Sequence, residues 1–123
     1  MTSLFADMFF AHAHYEPCKA HILVDSVLDL NVTGFKAQII STPGHTKGCM
    51  SVIINDEIAL VGDVMFGVFK GSVMPPFGND VRQIVQSWEK LLETNCSVFL
   101  PSHGSANSRE LVLREFNKRK TGN

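Results

Sequence analysis

The segment that most constrains the fold is residues 35–66, where three strand-like stretches alternate with turns. Residues 35–41, 50–54 and 58–61 are rich in apolar and β-branched side chains, which is typical of strands. Pro43 separates the first two stretches because it has no N–H for a sheet, and Asn55-Asp56 suits the turn of a hairpin. The segment therefore predicts three consecutive strands joined by short turns.

The remainder of the chain predicts two helices and one more strand. An apolar residue recurs every three or four positions through residues 81–94, which predicts an amphipathic helix capped by Asn79 or Asp80. Residues 97–100 form a short apolar run ending at a proline, which favours a buried strand. A last helix over residues 108–119 is expected to begin at a capping box formed by Asn107 and Glu110.

The first third of the chain carries weaker signals. Residues 9–11, 22–25 and 27–30 look extended, and residues 67–78 form a loop with too many apolar side chains to be fully solvated. Helices and strands together indicate an α/β (α+β) protein, with the order β-β-β-α-β-α after this opening.

Composition and net charge limit the classes of function that this chain can have. A chain of 123 residues with 45% apolar and 19% charged residues is expected to form a single soluble domain, 1–123. A net charge of −1 argues against nucleic acid or a membrane surface as a partner. Cys18, Cys49 and Cys96 are widely spaced, and the chain opens without a secretory or membrane-spanning pattern, so we expect a cytoplasmic protein.

Three polar residues each follow a predicted strand: His45, Asp63 and His103. Two histidines and a carboxylate form a donor set suited to zinc, iron or manganese. Taken singly, each residue is more often an ordinary surface histidine or a turn aspartate. Their shared setting, at the end of a strand and beside a glycine, favours the metal-site interpretation.

The motifs around these residues resemble a known family. T-P-G-H-T-K-G at 42–48, L-V-G-D-V-M-F at 60–66 and L-P-S-H-G at 100–104 resemble the C-terminal half of the metallo-β-lactamase fold, closest to the glyoxalase II-like hydrolases. The resemblance covers about residues 20–118. It implies half of an αββα sandwich, in which helices cover one face of a single mixed sheet.

The same resemblance implies the roles of the three polar residues. His45 would bind one metal ion, Asp63 would bridge two, and His103 would bind the second, with zinc expected and iron or manganese as alternatives. It implies metal-assisted hydrolysis of a small-molecule substrate; thioesters, lactams, lactones and phosphoesters all remain open. No general base or other catalytic residue is identified within this chain.

The chain departs from the family at its start. The His-x-His-x-Asp-His motif of the first half is absent, and His12-Ala13-His14 imitates it with too little chain before His45 for the usual helix and strand. We therefore expect a truncated domain, incomplete as a single chain. Cys49 could add a soft ligand or act as a small buried hydrophobe.

The predicted strands carry apolar residues on both faces, although two helices can cover only one. The resemblance implies that two similar sheets pack face to face, and we expect a homodimer in which a second copy covers the open face. Three interpretations stay open: a hydrolase completed by a second chain, a metal-binding or interaction module, and an inactive fragment of a larger hydrolase.

Overall fold

The computed structural model describes residues 16–120, so the strand expected at 9–11 and the side chains of His12 and His14 lie outside the described part. One six-stranded sheet and two helices make up the described fold. In chain order they are β1 (Val27–Leu30), β2 (Ala37–Ser41), β3 (Met50–Ile54), β4 (Ile58–Gly62), α1 (Val81–Leu92), β5 (Val98–Pro101), β6 (Asn107–Ser108) and α2 (Arg109–Lys120).

The strands lie in the sheet in the order in which they occur in the chain. Neighbours are antiparallel except β4 and β5, which are parallel and joined through α1. The β3–β4 hairpin turns at Asn55 and Asp56, whose φ angles are 52° and 54°. Asparagine and aspartate tolerate this left-handed conformation better than most residues, which confirms the predicted hairpin. The sheet is therefore mixed, as expected.

Both helices pack on one face of the sheet. Ile53, Ala59 and Phe99, which lie side by side on β3, β4 and β5, share a buried core with Trp88 of α1 and Val112 of α2. Apolar burial of this kind is the main favourable term in folding. The fold class predicted from the sequence, a mixed sheet with helices on one face, is confirmed.

Helix α1 begins where the sequence predicts. The Asp80 carboxylate caps it by accepting a hydrogen bond of 3.1 Å from the Gln83 N–H. Trp88 is fully buried, and its indole N–H donates to the Val64 carbonyl at 2.7 Å. Because Val64 directly follows Asp63, this bond ties the helix to the loop that carries the aspartate.

Some local predictions are wrong. The expected helix over 81–94 ends at Leu92, and residues 22–25 form no strand. Asn107 does not cap α2; it lies in β6, and Ser108 takes that role by accepting from the Leu111 N–H at 3.2 Å. The Asn107 side chain is buried and donates to the Phe66 carbonyl instead. In the described residues no helix has the length and apolarity needed to span a bilayer.

Candidate metal centre

The sheet brings the three predicted site residues to one edge. Strand β2 is antiparallel to β3 and β3 to β4, so β2 and β4 run in the same direction, and β5 is parallel to β4. The carboxyl ends of β2, β4 and β5 therefore meet at the same edge. His45, Asp63 and His103 each follow one of these ends.

The turn that carries His45 is docked onto the start of α1. The Asp80 N–H donates to the Gly44 carbonyl at 2.9 Å, and the Ser87 hydroxyl donates to the Pro43 carbonyl at 2.6 Å. Gly44 has a φ of +139°, and a Cβ there would lie 2.4 Å from the Ile84 backbone nitrogen. Only glycine allows this close approach, so Gly44 holds the histidine turn against the helix.

A backbone carbonyl sets the orientation of the His45 ring. Its Nδ1 lies 2.7 Å from the Phe77 carbonyl oxygen, and a carbonyl can only accept, so Nδ1 carries the hydrogen and donates. A neutral ring of this tautomer keeps a lone pair on Nε2. That Nε2 lies 3.7 Å from Oδ2 of Asp63, so a metal-binding nitrogen faces a carboxylate oxygen.

Asp63 also faces the second histidine. Oδ1 of Asp63 lies 3.3 Å from Nε2 of His103, but the two atoms do not meet hydrogen-bond geometry, and Oδ1 is a buried oxygen without a hydrogen-bond partner. Buried polar atoms are nearly always hydrogen-bonded, so an unpartnered carboxylate oxygen is unusual. The His103 side chain is 59% exposed, and its ring lies 4.9 Å from the Phe66 ring, centroid to centroid.

The turn that carries His103 is docked onto the loop that follows Asp63. The Gly67 N–H donates to the His103 carbonyl at 2.9 Å, and the Ser105 N–H donates to the Gly67 carbonyl at 3.0 Å. A Cβ on Gly67 would lie 1.8 Å from the Ser105 carbonyl oxygen, and one on Gly104 would lie 2.2 Å from the Gly67 carbonyl carbon. Gly67 and Gly104 thus allow the loop that follows Asp63 and the turn that carries His103 to touch backbone to backbone.

These donors fit part of a metal centre. Two imidazole nitrogens and a carboxylate are suitable ligands for zinc and for iron, and a cation would give Oδ1 of Asp63 the partner that no hydrogen bond supplies. Within residues 16–120, however, no group of three or more histidine, cysteine, aspartate or glutamate side chains could by itself hold one ion. Each histidine approaches a different oxygen of Asp63, so the three side chains do not converge on a single point.

Cys49 lies near this edge but points to a different partner: its Sγ is 3.1 Å from the Thr46 hydroxyl. A cleft of about 620 Å³, lined in part by Leu30, Ala37 and Asp56, lies at the opposite end of the strands and is not part of the site.

Sequence reasoning missed the roles of Phe77 and Gly67. Their only signal was the apolar loop 67–78, which predicts a covering segment without saying what it covers. The structure shows that this loop supplies the carbonyl that orients His45 and the backbone that holds the His103 turn.

Comparison with curated proteins finds relatives that are longer than this chain. No protein-family model matches it. It is 35% identical over 63 residues to Glyoxylase B2 of Dictyostelium discoideum, covering 50% of this chain and 22% of that protein. It is 28% identical over 93 residues to the metallo-beta-lactamase fold-containing protein ST1585 of Sulfurisphaera tokodaii, covering 74% and 35%. It is 26% identical over 109 residues to the atrochrysone carboxyl ACP thioesterase of Aspergillus fumigatus, covering 86% and 32%.

Solved structures align over more of the chain. The crystal structure of ST1585 from Sulfolobus tokodaii, an archaeal metallo-beta-lactamase superfamily protein, superposes with a TM-score of 0.72 at 21% identity, over 98% of this chain and 49% of that one. TTHA1623, crystallised in a di-iron-bound form, superposes with a TM-score of 0.60 at 22% identity, over 90% and 55%. At these identities the likeness shows the fold alone, and the chain spans about half the length of each solved relative.

Proposed function

Because this chain has the metallo-β-lactamase fold over about half the length of its solved relatives, we propose that it supplies part of the active site of a metal-dependent hydrolase. In this proposal His45, Asp63 and His103 are metal ligands. The site is incomplete as a single chain, and further ligands come from outside residues 16–120. A small molecule is the substrate.

One observation carries the proposal: Oδ1 of Asp63 is buried, lacks a hydrogen bond and lies 3.3 Å from the His103 Nε2. An unpartnered buried acceptor costs about 1–3 kcal/mol, and more when it is charged. A cation bound beside this oxygen would offset that cost. The other oxygen of Asp63 faces the lone pair of His45, so His45, Asp63 and His103 together would hold the metal.

Zinc is the first metal to test, because imidazole and carboxylate are among its common protein ligands. Iron and manganese are the alternatives. The di-iron form of TTHA1623 is a reason to test iron. A divalent ion held there would supply a coordinated water of lowered pKa and would stabilise negative charge on a substrate oxygen. The three residues of this chain would hold and orient the ion, and none of them is assigned as a base.

The surroundings of the site favour a substrate with an apolar group. The Phe66 ring contacts His103, and Phe77, whose carbonyl orients His45, has a side chain that is 77% exposed. The Phe66 ring thus lies against one ligand and Phe77 is anchored beside the other through its backbone, and aromatic rings contribute large apolar contact areas in binding sites. The thioesterase among the relatives makes a thioester with an apolar acyl group the first substrate to test.

A metal-binding or interaction module without turnover is the second candidate. It is favoured by the finding that the described residues do not form a closed site for one ion. An inactive fragment of a larger hydrolase is the remaining alternative, and it predicts that the ligands bind no metal.

Metal analysis of protein purified without chelator tests the proposal. We expect bound zinc, iron or manganese in the wild-type protein and its loss in His45→Ala, Asp63→Ala and His103→Ala. His21→Ala and Asp29→Ala are the matched controls: both residues are exposed, and Asp29 lies in β1 beside the cleft at the end of the strands opposite the site, so both variants should retain the metal. Metal content unchanged in Asp63→Ala would refute the assignment.

Thioester hydrolysis distinguishes the enzyme from the module. We expect weak or no turnover by an isolated chain, because ligands that complete and orient the ion are missing. Robust turnover by a proven monomer, abolished by Asp63→Ala, would show instead that one chain is sufficient.

A further inference from the structure

The two faces of the sheet differ in what covers them. Strand register places Ile53, Ala59 and Phe99 on one face, which we call the helix face because α1 and α2 pack on it. It places Val52, Leu60 and Leu100 side by side on the other, which we call the open face. The residues of the open face in the strands are Leu28, Leu30, Ala37, Ile39, Ser41, Met50, Val52, Ile54, Ile58, Leu60, Val98, Leu100 and Ser108.

Apolar side chains of the open face stay in contact with solvent. Met50 is 47% exposed, Leu60 39% and Leu100 37%, and the neighbouring valines and isoleucines are half-buried. Ala37 is the one buried residue of the open face, and no open-face residue belongs to the core that the helices share with the sheet or to the residues packed against that core. Contiguous apolar surface that contacts solvent is typical of an interaction site in soluble proteins.

We infer that the open face binds a second copy of this chain, sheet against sheet, around a two-fold axis. Charge favours this occupant: the open face carries no aspartate, glutamate, lysine, arginine or histidine within its strands. A two-fold axis sets each patch against its own copy, so a charged patch would repel itself, whereas an uncharged apolar patch is self-complementary. Two such faces can interdigitate at a separation of about 10 Å.

The size of the face limits the area that a dimer can bury. Six strands, about 4.8 Å apart and about 15 Å long, present roughly 400 Å² in plan. Protruding side chains enlarge this, so two copies would bury about 1,000 Å² in total, near the lower limit for a specific interface. We therefore expect a dimer with a micromolar dissociation constant, which dissociates on dilution.

A matched pair of substitutions tests the interface. Leu60→Glu places a charge at the centre of the open face, and Leu113→Glu places one on an α2 side chain of similar exposure, 44% against 39%. Sedimentation analysis across the micromolar range should show a dimer for the wild-type protein and for Leu113→Glu, and a monomer for Leu60→Glu. Met50→Glu, at a second exposed position of the open face, should also give a monomer. Far-UV circular dichroism and the urea midpoint show whether each variant is folded.

Three results would overturn the inference: a wild-type protein that stays monomeric throughout this range, a dimer that survives both Leu60→Glu and Met50→Glu, or equal weakening by Leu113→Glu. A wild-type monomer would mean that another segment or another polypeptide covers the face. The test is independent of the proposed function, because Asp63→Ala should leave the dimer intact whether or not it removes metal.

Discussion

Replacing Gly67 by alanine tests whether contact between loops positions His103. A Cβ at Gly67 would lie 1.8 Å from the Ser105 carbonyl oxygen and 2.7 Å from the Ser105 nitrogen. Both atoms belong to the backbone, so no side-chain rotation can relieve the overlap. The turn that carries His103 has to move away from the loop that follows Asp63, and the hydrogen bonds between them have to lengthen or break.

The cost follows from these contacts. Overpacking in a tight site costs about 1–3 kcal/mol, and a backbone clash belongs at the upper end. The Gly67 carbonyl also accepts from the Ser105 N–H at 3.0 Å and from its hydroxyl at 3.2 Å, each worth about 1 kcal/mol. Since relieving the clash gives up some of these bonds, the terms overlap. We expect the free energy of unfolding to fall by about 3 kcal/mol, and metal affinity to fall by roughly 10–100-fold because His103 is displaced.

Urea unfolding followed by fluorescence measures the first effect, because Trp88 is the only tryptophan and is fully buried. Metal titration measures the second. Gly48→Ala is the matched control: a Cβ there meets no atom within 4 Å, and its φ lies outside the left-handed region. If Gly67→Ala and Gly48→Ala unfold at the same urea concentration, the contact does not hold the site together and the reasoning is refuted.

Three further outcomes are expected. Arg109→Ala should lower the free energy of unfolding by about 3 kcal/mol in urea, since its guanidinium donates to the carbonyls of Leu92 at the end of α1 and of Thr94 and Cys96 in the loop that follows, whereas the exposed Arg114→Ala should cost little. Hydrogen bonds from Asn95 lower the pKa of Asp56, so the ionised carboxylate stabilises the fold above the ordinary pKa of 3.8, and this stability is lost as pH falls below that value. Asp56→Asn should therefore weaken the dependence of the free energy of unfolding on acid pH. Burial raises the pKa of the Cys96 thiol, so the folding stability that comes from keeping this thiol protonated is lost as pH rises above the ordinary pKa of 9.0. Mass spectrometry should find that the exposed Cys18 is alkylated well before the buried Cys96.

The central sheet was determined by local sequence. Residues 50–54 have the predicted bounds, and the hairpin at Asn55 and Asp56 follows from residues that tolerate positive φ. The helix beginning at Val81 follows from its apolar period and from the Asp80 cap. These signals depend only on neighbouring residues in the chain, which is why the sequence alone predicts them.

The sequence also showed that His45, Asp63 and His103 each follow a strand, which was enough to expect them at one edge of the sheet. The distances between their side chains could not be predicted from the sequence. Asp63 and His103 lie 3.3 Å apart on two loops that touch where Gly67 meets Ser105, two residues far apart in the chain. No periodicity or propensity reports such a contact.

Burial of polar groups was decided only by the tertiary structure. Glutamate is seldom buried in folded proteins, yet Glu115 of α2 is buried and paired with Lys118 at 3.6 Å and Arg119 at 3.4 Å. Asn107, read from sequence as a helix cap, instead bonds the Phe66 carbonyl across the sheet edge. A local sequence pattern shows which side chain is able to cap a helix or to face solvent. Its actual partner depends on loops and strands that packing brings together from distant parts of the chain.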